Sequence, residues 1–462
     1  MEEFKGRGLF WLPDLSEHKV PGEIYFLPNQ GISIILNGII DNNITTNVRK
    51  YLVMFGEIHG KGRITLFDIF ETKRNINYKI NESSSAMCEA KAMFLFVGEF
   101  FHLKQDILCN SINFTFNGLD EWLGKSGFKF PEKYPEFSCI YKKPESLSFL
   151  ITSTQKKIIF DWSVYYPSFR PIQTECNIQQ EGGIIIKDSN NKEFPFFKFR
   201  GEIRKLLNLF TLLLNKKIFL KTISLNLKTQ NKPPLDIKKI EIYYPINFWK
   251  EDMKVINYWD MLFTFDSLKD NFELLLNKWF ESYNKLGYIL DDFMGTIYND
   301  GMFLSHIFLS RVQTIEIFHR SKYASTERST EEFEKRLEMI KDKLKEHKKI
   351  SEWLQGKLKH ANEVNLQMRF KEILNKYNKL LNDYISDIES FSKKIMDTRN
   401  YYIHLDPRLK NDALSEIEMH PYIVRLKIIM LVLLFDELGI SEKLISTVLN
   451  EKYSINFVPE LK

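Results

Sequence analysis

The chain has 462 residues, of which 44% are hydrophobic, and its net charge is +5 from 65 basic and 60 acidic side chains. This length exceeds that of one ordinary domain, and the apolar content is enough for at least two cores. The near balance of charges excludes a protein that grips long nucleic acid through a broad positive surface, so any RNA contact is expected at a local pocket.

The four cysteines are far apart and include no Cys-x-x-Cys pair. Neither a zinc site nor a disulfide framework is expected from this spacing, and we predict no metal and no cofactor. The start of the chain lacks the basic and apolar regions of a secretory signal. The run Ile428–Phe435 is too short to span a bilayer. We therefore expect a soluble protein of a reducing cytoplasm, with no membrane partner.

Residues 1–130 are predicted to form a β-rich N-terminal domain. Apolar residues alternate with their neighbours at Ile32, Ile34 and Leu36, as they do in a strand with one buried face. Glycines punctuate the short segments between such strands, which is typical of a sandwich or a barrel. A short helix is predicted at Leu119–Leu123.

Residues 131–265 are predicted to form a second, mixed lobe that is also rich in strands. One helix is expected there, at Glu202–Leu214. The expected strands are Lys157–Tyr166, Gly183–Lys187, Phe219–Leu227 and Ile237–Tyr244.

Beyond this lobe the apolar residues follow helical spacing. Residues 266–300 are predicted to be a helical connector, and residues 301–462 a helical domain. Within it, apolar residues recur every three or four positions from Leu366 to Ile395, which predicts one long helix. The expected fold class is α+β, with β-rich, sandwich-like N-terminal lobes followed by an all-α helical bundle.

The candidate chemistry lies at the end of that stripe. Arg399 follows Ile395 by four residues, so a guanidinium stands where an apolar side chain was due. His404 comes five residues after Arg399, a rotation of about 140° on an ideal helix. Either the helix unwinds near Asn400, or His404 meets an arginine across an interface. Asn400 and His404 are four residues apart and share a face.

An arginine and a histidine are chemically sufficient to cleave RNA without a metal. The ribose 2′-hydroxyl attacks the phosphorus, the histidine transfers the proton, and the arginine holds the phosphate oxygens. The products are a 2′,3′-cyclic phosphate and a 5′-hydroxyl. The spacing alone is a weak signal, because an arginine paired with Asp397 or Asp406 beside a surface histidine would give the same pattern.

The segment Arg399-Asn400-Tyr401-Tyr402-Ile403-His404 resembles the R-N-x-x-x-H signature of HEPN domains, in particular the ApeA-like branch. The N-terminal region is similar to the ApeA N-terminal domain at Gly8–Pro13, Pro21-Gly22, Gly31–Gly38, Glu57–Gly60, Ile64–Leu66, Val97–Glu99 and Leu119–Leu123. The resemblance implies a HEPN endoribonuclease effector of bacterial antiphage defence by abortive infection, with the N-terminal region as the sensor. It also implies paired HEPN domains, and since the chain has one such motif, a homodimer or higher oligomer is expected. RNA is the expected substrate, and a phage protein bound by the N-terminal region the expected trigger.

Three further residues are candidates for supporting roles. Glu316 could orient Arg399 or His404 from another helix, or could be a partly exposed helix acid; the two interpretations have equal weight. Tyr401 and Tyr402 could stack on a base, although core packing explains tyrosines at this spacing as well. Two other interpretations remain for the whole chain. One is a non-catalytic recognition and dimerisation protein with a vestigial HEPN domain. The other is a carbohydrate-binding sandwich, suggested only by aromatics such as Trp11 and Tyr25.

Overall fold

A computed structural model gives the structure of the chain. It describes residues 1–41, 46–77, 85–130, 138–166, 176–228, 237–245, 256–323, 326–358 and 361–453. These residues form two compact units, Met1–Phe280 and Glu281–Lys462. The N-terminal unit is β-rich and the C-terminal unit is helical, so the predicted α+β class is confirmed.

The N-terminal unit contains the strands, all of which pair in an antiparallel manner. They are β1 (Phe4–Trp11), β2 (Val20–Leu27), β3 (Gly31–Leu36), β4 (Lys50–Ile58), β5 (Gly62–Asn77), β6 (Ser85–Val97), β7 (Leu108–Cys109), β8 (Ser111–Phe116), β9 (Phe128–Lys129), β10 (Ile140–Tyr141), β11 (Leu147–Ile151), β12 (Lys156–Tyr165), β13 (Gln179–Asp188), β14 (Phe194–Pro195), β15 (Leu220–Lys228) and β16 (Ile237–Tyr243).

Six of these strands close into a barrel in the order β1-β2-β3-β6-β5-β4. Alternate side chains along each strand are buried, as in β1, where Phe4 and Phe10 are almost fully buried. Side chains on one face of a strand point into the barrel and their neighbours point outward, because the side-chain period of a strand is two. The apolar alternation in the sequence therefore fixes which face of each strand is enclosed.

Strand β6 belongs to the barrel and also begins a second, open sheet. One edge of β6 pairs with β5, while its other edge pairs first with β3 and then, at Leu95–Val97, with β16. From β16 the sheet continues through β15, β8, β13, β12 and β11. Strand β8 lies before residue 130 and yet pairs between β13 and β15. The two lobes that the sequence suggested are thus joined by one continuous sheet.

An aromatic core covers this open sheet. Phe210 lies in α2 (Phe196–Leu214), and its ring centroid is 4.9 Å from that of Phe116 and 4.8 Å from that of Trp122. Phe272 completes the cluster, 5.3 Å from Trp122. Such rings supply a large area of buried apolar surface, which stabilises the association of helix and sheet.

The remaining helices are α1 (Leu119–Leu123), α3 (Phe265–Leu268), α4 (Phe272–Tyr298), α5 (Leu304–Lys322), α6 (Thr330–Lys343), α7 (Lys348–Leu358), α8 (Leu366–Lys376), α9 (Asn378–Leu381), α10 (Ile388–His404), α11 (Glu416–Glu437) and α12 (Glu442–Lys452). Among the described helices, none is long and apolar enough to cross a bilayer. In the C-terminal unit, α5 packs against α11 and α8 packs against α10.

The prediction of one long helix from Leu366 to Ile395 is wrong, because the segment is divided into α8, α9 and α10. Tertiary contacts stabilise the interruption between α9 and α10. The buried Arg425 donates from Nε to the carbonyl oxygen of Tyr384 at 2.7 Å, and the Tyr384 hydroxyl donates to the carbonyl oxygen of Leu449. Asp387 then accepts a hydrogen bond from the backbone N–H of Ser390 and caps the start of α10. Apolar spacing cannot reveal such a break, since the stripe continues across it.

Candidate active site

Helix α10 carries the whole Arg-Asn-x-x-x-His segment and remains helical through His404. It ends there because Leu405 has a φ of +49°, and its N–H bonds to the carbonyl of Tyr401. This left-handed conformation costs a non-glycine residue about 1–2 kcal/mol. Pro407 also prevents the helix from continuing. The helix therefore presents His404 at its last position, with no unwinding near Asn400.

The Arg399 side chain is half-buried and lies against its neighbour in the chain. Its Nη1 donates to Oδ1 of Asn400 at 3.0 Å. Among the described residues no carboxylate pairs with Arg399. Asp397, which the sequence offered as a partner, is buried, and burial raises its pKa. The guanidinium thus keeps most of its donors available for an anionic ligand.

The His404 side chain is exposed, and no hydrogen bond to it is found in the described part of the chain. Asp406 is engaged elsewhere: its carboxylate accepts from the backbone N–H, Nε and Nη2 of Arg408 at 3.0, 3.0 and 2.7 Å. These hydrogen bonds from Arg408 lower the pKa of Asp406 to about 2. Asp406 therefore holds the turn after α10, and the imidazole of His404 is open to a substrate.

Within one chain Arg399 and His404 diverge. They are five residues apart in a continuous helix, which places their side chains about 140° apart around the axis. Of the two explanations that the spacing allowed, local unwinding does not occur. The other explanation, that His404 meets an arginine across an interface, stays a prediction.

The two tyrosines of the segment are half-buried, with ring centroids 5.2 Å apart. The Tyr402 hydroxyl donates to the carbonyl oxygen of Leu414 at 3.4 Å, and the Leu414 N–H donates to the Thr398 hydroxyl at 3.0 Å. These two bonds hold the end of α10 beside the segment that leads into α11. Tyr402 and Thr398 thus fix the position of the motif. The role of Thr398 was not foreseen, because a threonine gives no such signal in a single sequence.

Glu316 is paired within its own helix. Its Oε1 accepts from Nε and Nη2 of Arg320 at 3.3 and 3.0 Å. It also acts electrostatically on the buried Arg369. The structure places these groups together in α5 and α8, and no hydrogen bond joins Glu316 to Arg399 or His404.

A buried polar cluster occupies the interface between α5 and α8. His319 is fully buried, its Nε2 lies 2.6 Å from Oε2 of Glu372, and Nη1 of Arg369 donates to its Nδ1 at 3.0 Å. An arginine can only donate, so Nδ1 must be the acceptor and the proton resides on Nε2. Burial is the main cause that lowers the pKa of His319, with Arg369 adding to it and Glu372 opposing it.

This cluster predicts a pH-dependent stability of the helical unit. Because the folded pKa of His319 lies below the ordinary value of 6.5, the unfolded chain takes up the proton first. Stability from this group is thus complete above about pH 6.5 and is lost as the pH falls below it. Thermal unfolding between pH 8 and pH 5 is expected to show a steeper decline for wild type than for His319→Gln. The matched control His347→Gln, at an exposed histidine, should follow wild type; equal slopes for wild type and His319→Gln would contradict the assignment.

Comparison with known families identifies both parts of the chain. The family model for ApeA N-terminal domain 1 matches residues 6–279, more than half of the chain. This chain belongs to the ApeA family. The model for the Apea-like HEPN domain matches residues 309–444, which include most of α5 and all of α8, α10 and α11. A search of curated proteins and a search of solved structures each give no significant match.

The matches confirm the resemblance and its order, an ApeA N-terminal domain followed by an ApeA-like HEPN domain. The first match covers the barrel and the open sheet together, as does the first compact unit. The division of the N-terminal region at residue 130 stays a prediction. Arg399, Asn400 and His404 all lie within the HEPN match.

Proposed function

We propose that this ApeA-family protein is a metal-independent HEPN endoribonuclease and an effector of bacterial antiphage defence. The observation that carries the proposal is the availability of Arg399 and His404. Both lie in the last turns of α10, and in the described structure neither is paired with a carboxylate. An unpaired charge is costly to bury. A half-buried guanidinium with no carboxylate partner therefore suits a site that binds an anion, which favours a functional site over a vestigial one.

The reaction follows from these two groups and the substrate. The 2′-hydroxyl oxygen forms a bond to phosphorus as the bond from phosphorus to the 5′-oxygen breaks. One His404 accepts the hydroxyl proton, and a protonated histidine donates to the leaving oxygen. Arg399 neutralises the charge that grows on the non-bridging oxygens. The RNA ends are a 2′,3′-cyclic phosphate and a 5′-hydroxyl, and DNA, which lacks the 2′-hydroxyl, is not cleaved.

The active form is proposed to be a homodimer or a higher homo-oligomer. Arg399 and His404 diverge on one helix, so a twofold interface would bring two copies of each side chain into one cleft. The surface beside the motif also suits such an interface. Three large apolar side chains near the end of α10 and the start of α11 are exposed: Ile403 by 49%, Leu405 by 71% and Ile417 by 88%. Ile403 and Leu405 lie two residues apart at the end of α10, and exposed apolar groups that are close together are typical of protein interaction sites.

Cleavage is expected to persist in EDTA. The substrate supplies the nucleophile, and Arg399 and His404 supply charge and proton transfer, so no step requires a bound cation. The test is to incubate the purified protein with total RNA, with and without 10-fold excess chelator over divalent ions, and to map the ends. Activity that is lost in EDTA and restored by magnesium or manganese would contradict this chemistry.

The N-terminal unit is proposed to be the sensor and brake, with a phage protein as the trigger. Residues 1–260 contain no catalytic constellation in their sequence, and loops between strands commonly carry recognition. Expression of residues 301–462 alone is therefore expected to be at least as toxic to bacteria as the unstimulated full-length chain. A folded but harmless fragment, together with a toxic full-length protein, would contradict the regulatory role.

A further inference from the structure

A cavity of about 250 Å³ lies in the HEPN unit, apart from the Arg-Asn-x-x-x-His segment. It is formed between α6 and the end of α7, with Ala361 and Asn362 on one side. The cavity is smaller than the 300–1,000 Å³ typical of sites for drug-sized ligands. This size favours a ligand that inserts a single ring system, such as one nucleobase.

The floor of the cavity is apolar. Phe333, Leu337 and Ile340 line it from one face of α6, and Leu358 and Ala361 line it from the other side. The α6 helix has no buried residue, so these side chains stay partly exposed to solvent when the cavity is empty. A planar aromatic ligand would cover them and remove apolar surface from water.

The rim of the cavity carries two guanidinium groups. Arg328 and Arg336 both line it, and both are exposed. No carboxylate pairs with either arginine in the part of the chain that the structure describes. Guanidinium groups bind phosphate oxygens through paired hydrogen bonds. Glu327 is also on the rim, where its carboxylate can accept a hydrogen bond from the amino group of a base.

Hydrogen bonds from Asn362 and its neighbours hold the backbone at Glu327 and Arg328. Asn362 accepts from the Arg328 N–H through Oδ1 and donates to the Arg328 carbonyl through Nδ2, each at 3.0 Å. The Glu327 N–H donates to the Asn362 carbonyl at 2.8 Å. Ser329 then caps α6 by accepting from the Glu332 N–H. A preformed rim binds a ligand with less loss of conformational entropy.

We infer that this cavity binds one nucleotide of a single-stranded RNA, with the base on the apolar floor and the adjoining phosphates at Arg328 and Arg336. A nucleotide within a strand has a phosphate on each side of its sugar, which matches two guanidinium groups around one floor. The inference rests on the proposed ribonuclease function and adds to it a site that holds the substrate away from the cleaved bond. The cavity contributes binding, whereas Arg399 and His404 contribute cleavage.

The test uses full-length protein carrying His404→Ala, so that RNA stays intact, and a fluorescent single-stranded RNA of about 12 nucleotides, a length within the site sizes of single-strand binders. Arg336→Glu is expected to weaken binding about tenfold or more, measured by fluorescence anisotropy. The matched control is Lys335→Glu, which changes the charge equally at the adjacent residue outside the cavity lining and should weaken binding less than about threefold. Ala361→Phe, which fills the cavity without a charge change, should also weaken binding. Because α6 has no buried residue and Ala361 is exposed, the fold should survive, and thermal unfolding verifies this.

Three outcomes would overturn the assignment. Equal weakening by Arg336→Glu and Lys335→Glu would reduce the effect to general electrostatics. Unchanged binding in Ala361→Phe would exclude the cavity as the place of the base. Displacement of the RNA by AMP or ATP at concentrations near those of the RNA would assign the cavity to free nucleotides. Cleavage is assayed in parallel with protein that retains His404, and this assay separates the two proposals. Absent cleavage together with Arg336-dependent binding contradicts the nuclease proposal alone. Cleavage together with Arg336-independent binding contradicts the cavity site alone.

Discussion

Replacing His404 with alanine is expected to lower the rate of RNA cleavage by about 10²–10⁴-fold, the usual contribution of general acid–base catalysis. The fold should not change, because the His404 side chain is exposed and bonds to no described group. Cleavage is measured on total RNA, and far-ultraviolet circular dichroism verifies the fold. The matched control His347→Ala removes another exposed histidine of the same unit and should retain full activity.

The same assay ranks the other two members of the motif. Arg399→Ala is expected to lower the rate of RNA cleavage by about 10²–10³-fold, as the removal of a charge-stabilising donor does. Asn400→Ala is expected to lower the rate of RNA cleavage by about tenfold, because the amide oxygen of Asn400 orients the Arg399 guanidinium through one hydrogen bond. If both His404→Ala and Arg399→Ala cleaved RNA at the wild-type rate, the ribonuclease proposal would be abandoned.

A substitution that separates the protomers is expected to silence the enzyme by at least about 10²-fold while leaving each protomer folded, since the composite cleft would lose one set of acid–base groups. Phe391 and Ile395 on α10 are unsuitable for this purpose because both are buried within their own unit. Ile417 is suitable: it is 88% exposed at the start of α11. Ile417→Asp should yield monomers by analytical ultracentrifugation and inactive protein in the cleavage assay.

Tyr288→Asp provides the matched control for this experiment. Tyr288 is 65% exposed on α4, in the same unit but outside the HEPN match. This variant should keep both the oligomeric state and the activity of wild type. A well-folded Ile417→Asp monomer that still cut RNA at full rate in dilute solution would exclude the composite site. Glu316 would then be the next candidate for the missing acid–base partner, provided that it leaves Arg320.

The sequence by itself determined the fold class and the location of the motif. Period-two alternation, as at Ile32, Ile34 and Leu36, predicts a strand, and β3 (Gly31–Leu36) occupies that segment. The helix at Leu119–Leu123 has the predicted bounds. The family resemblance rests on short motifs that are visible in one sequence, and both domain matches confirm it. Local patterns suffice here because burial of one face and helix or strand propensity act over a few neighbouring residues.

Only the tertiary structure decided how distant segments pair. Strand β8 pairs with β13 and β15, which both lie far from it in the sequence. One edge of β6 pairs with β3 along one part of its length and with β16 along another. The break between α8 and α10 depends on Arg425, which reaches the carbonyl of Tyr384 from another helix. Likewise, His319 of α5 meets its partners Arg369 and Glu372 only because α5 packs against α8. Such contacts are made between residues far apart in the chain, and since one apolar pattern is compatible with many pairings, they are fixed by packing and by the satisfaction of buried polar groups.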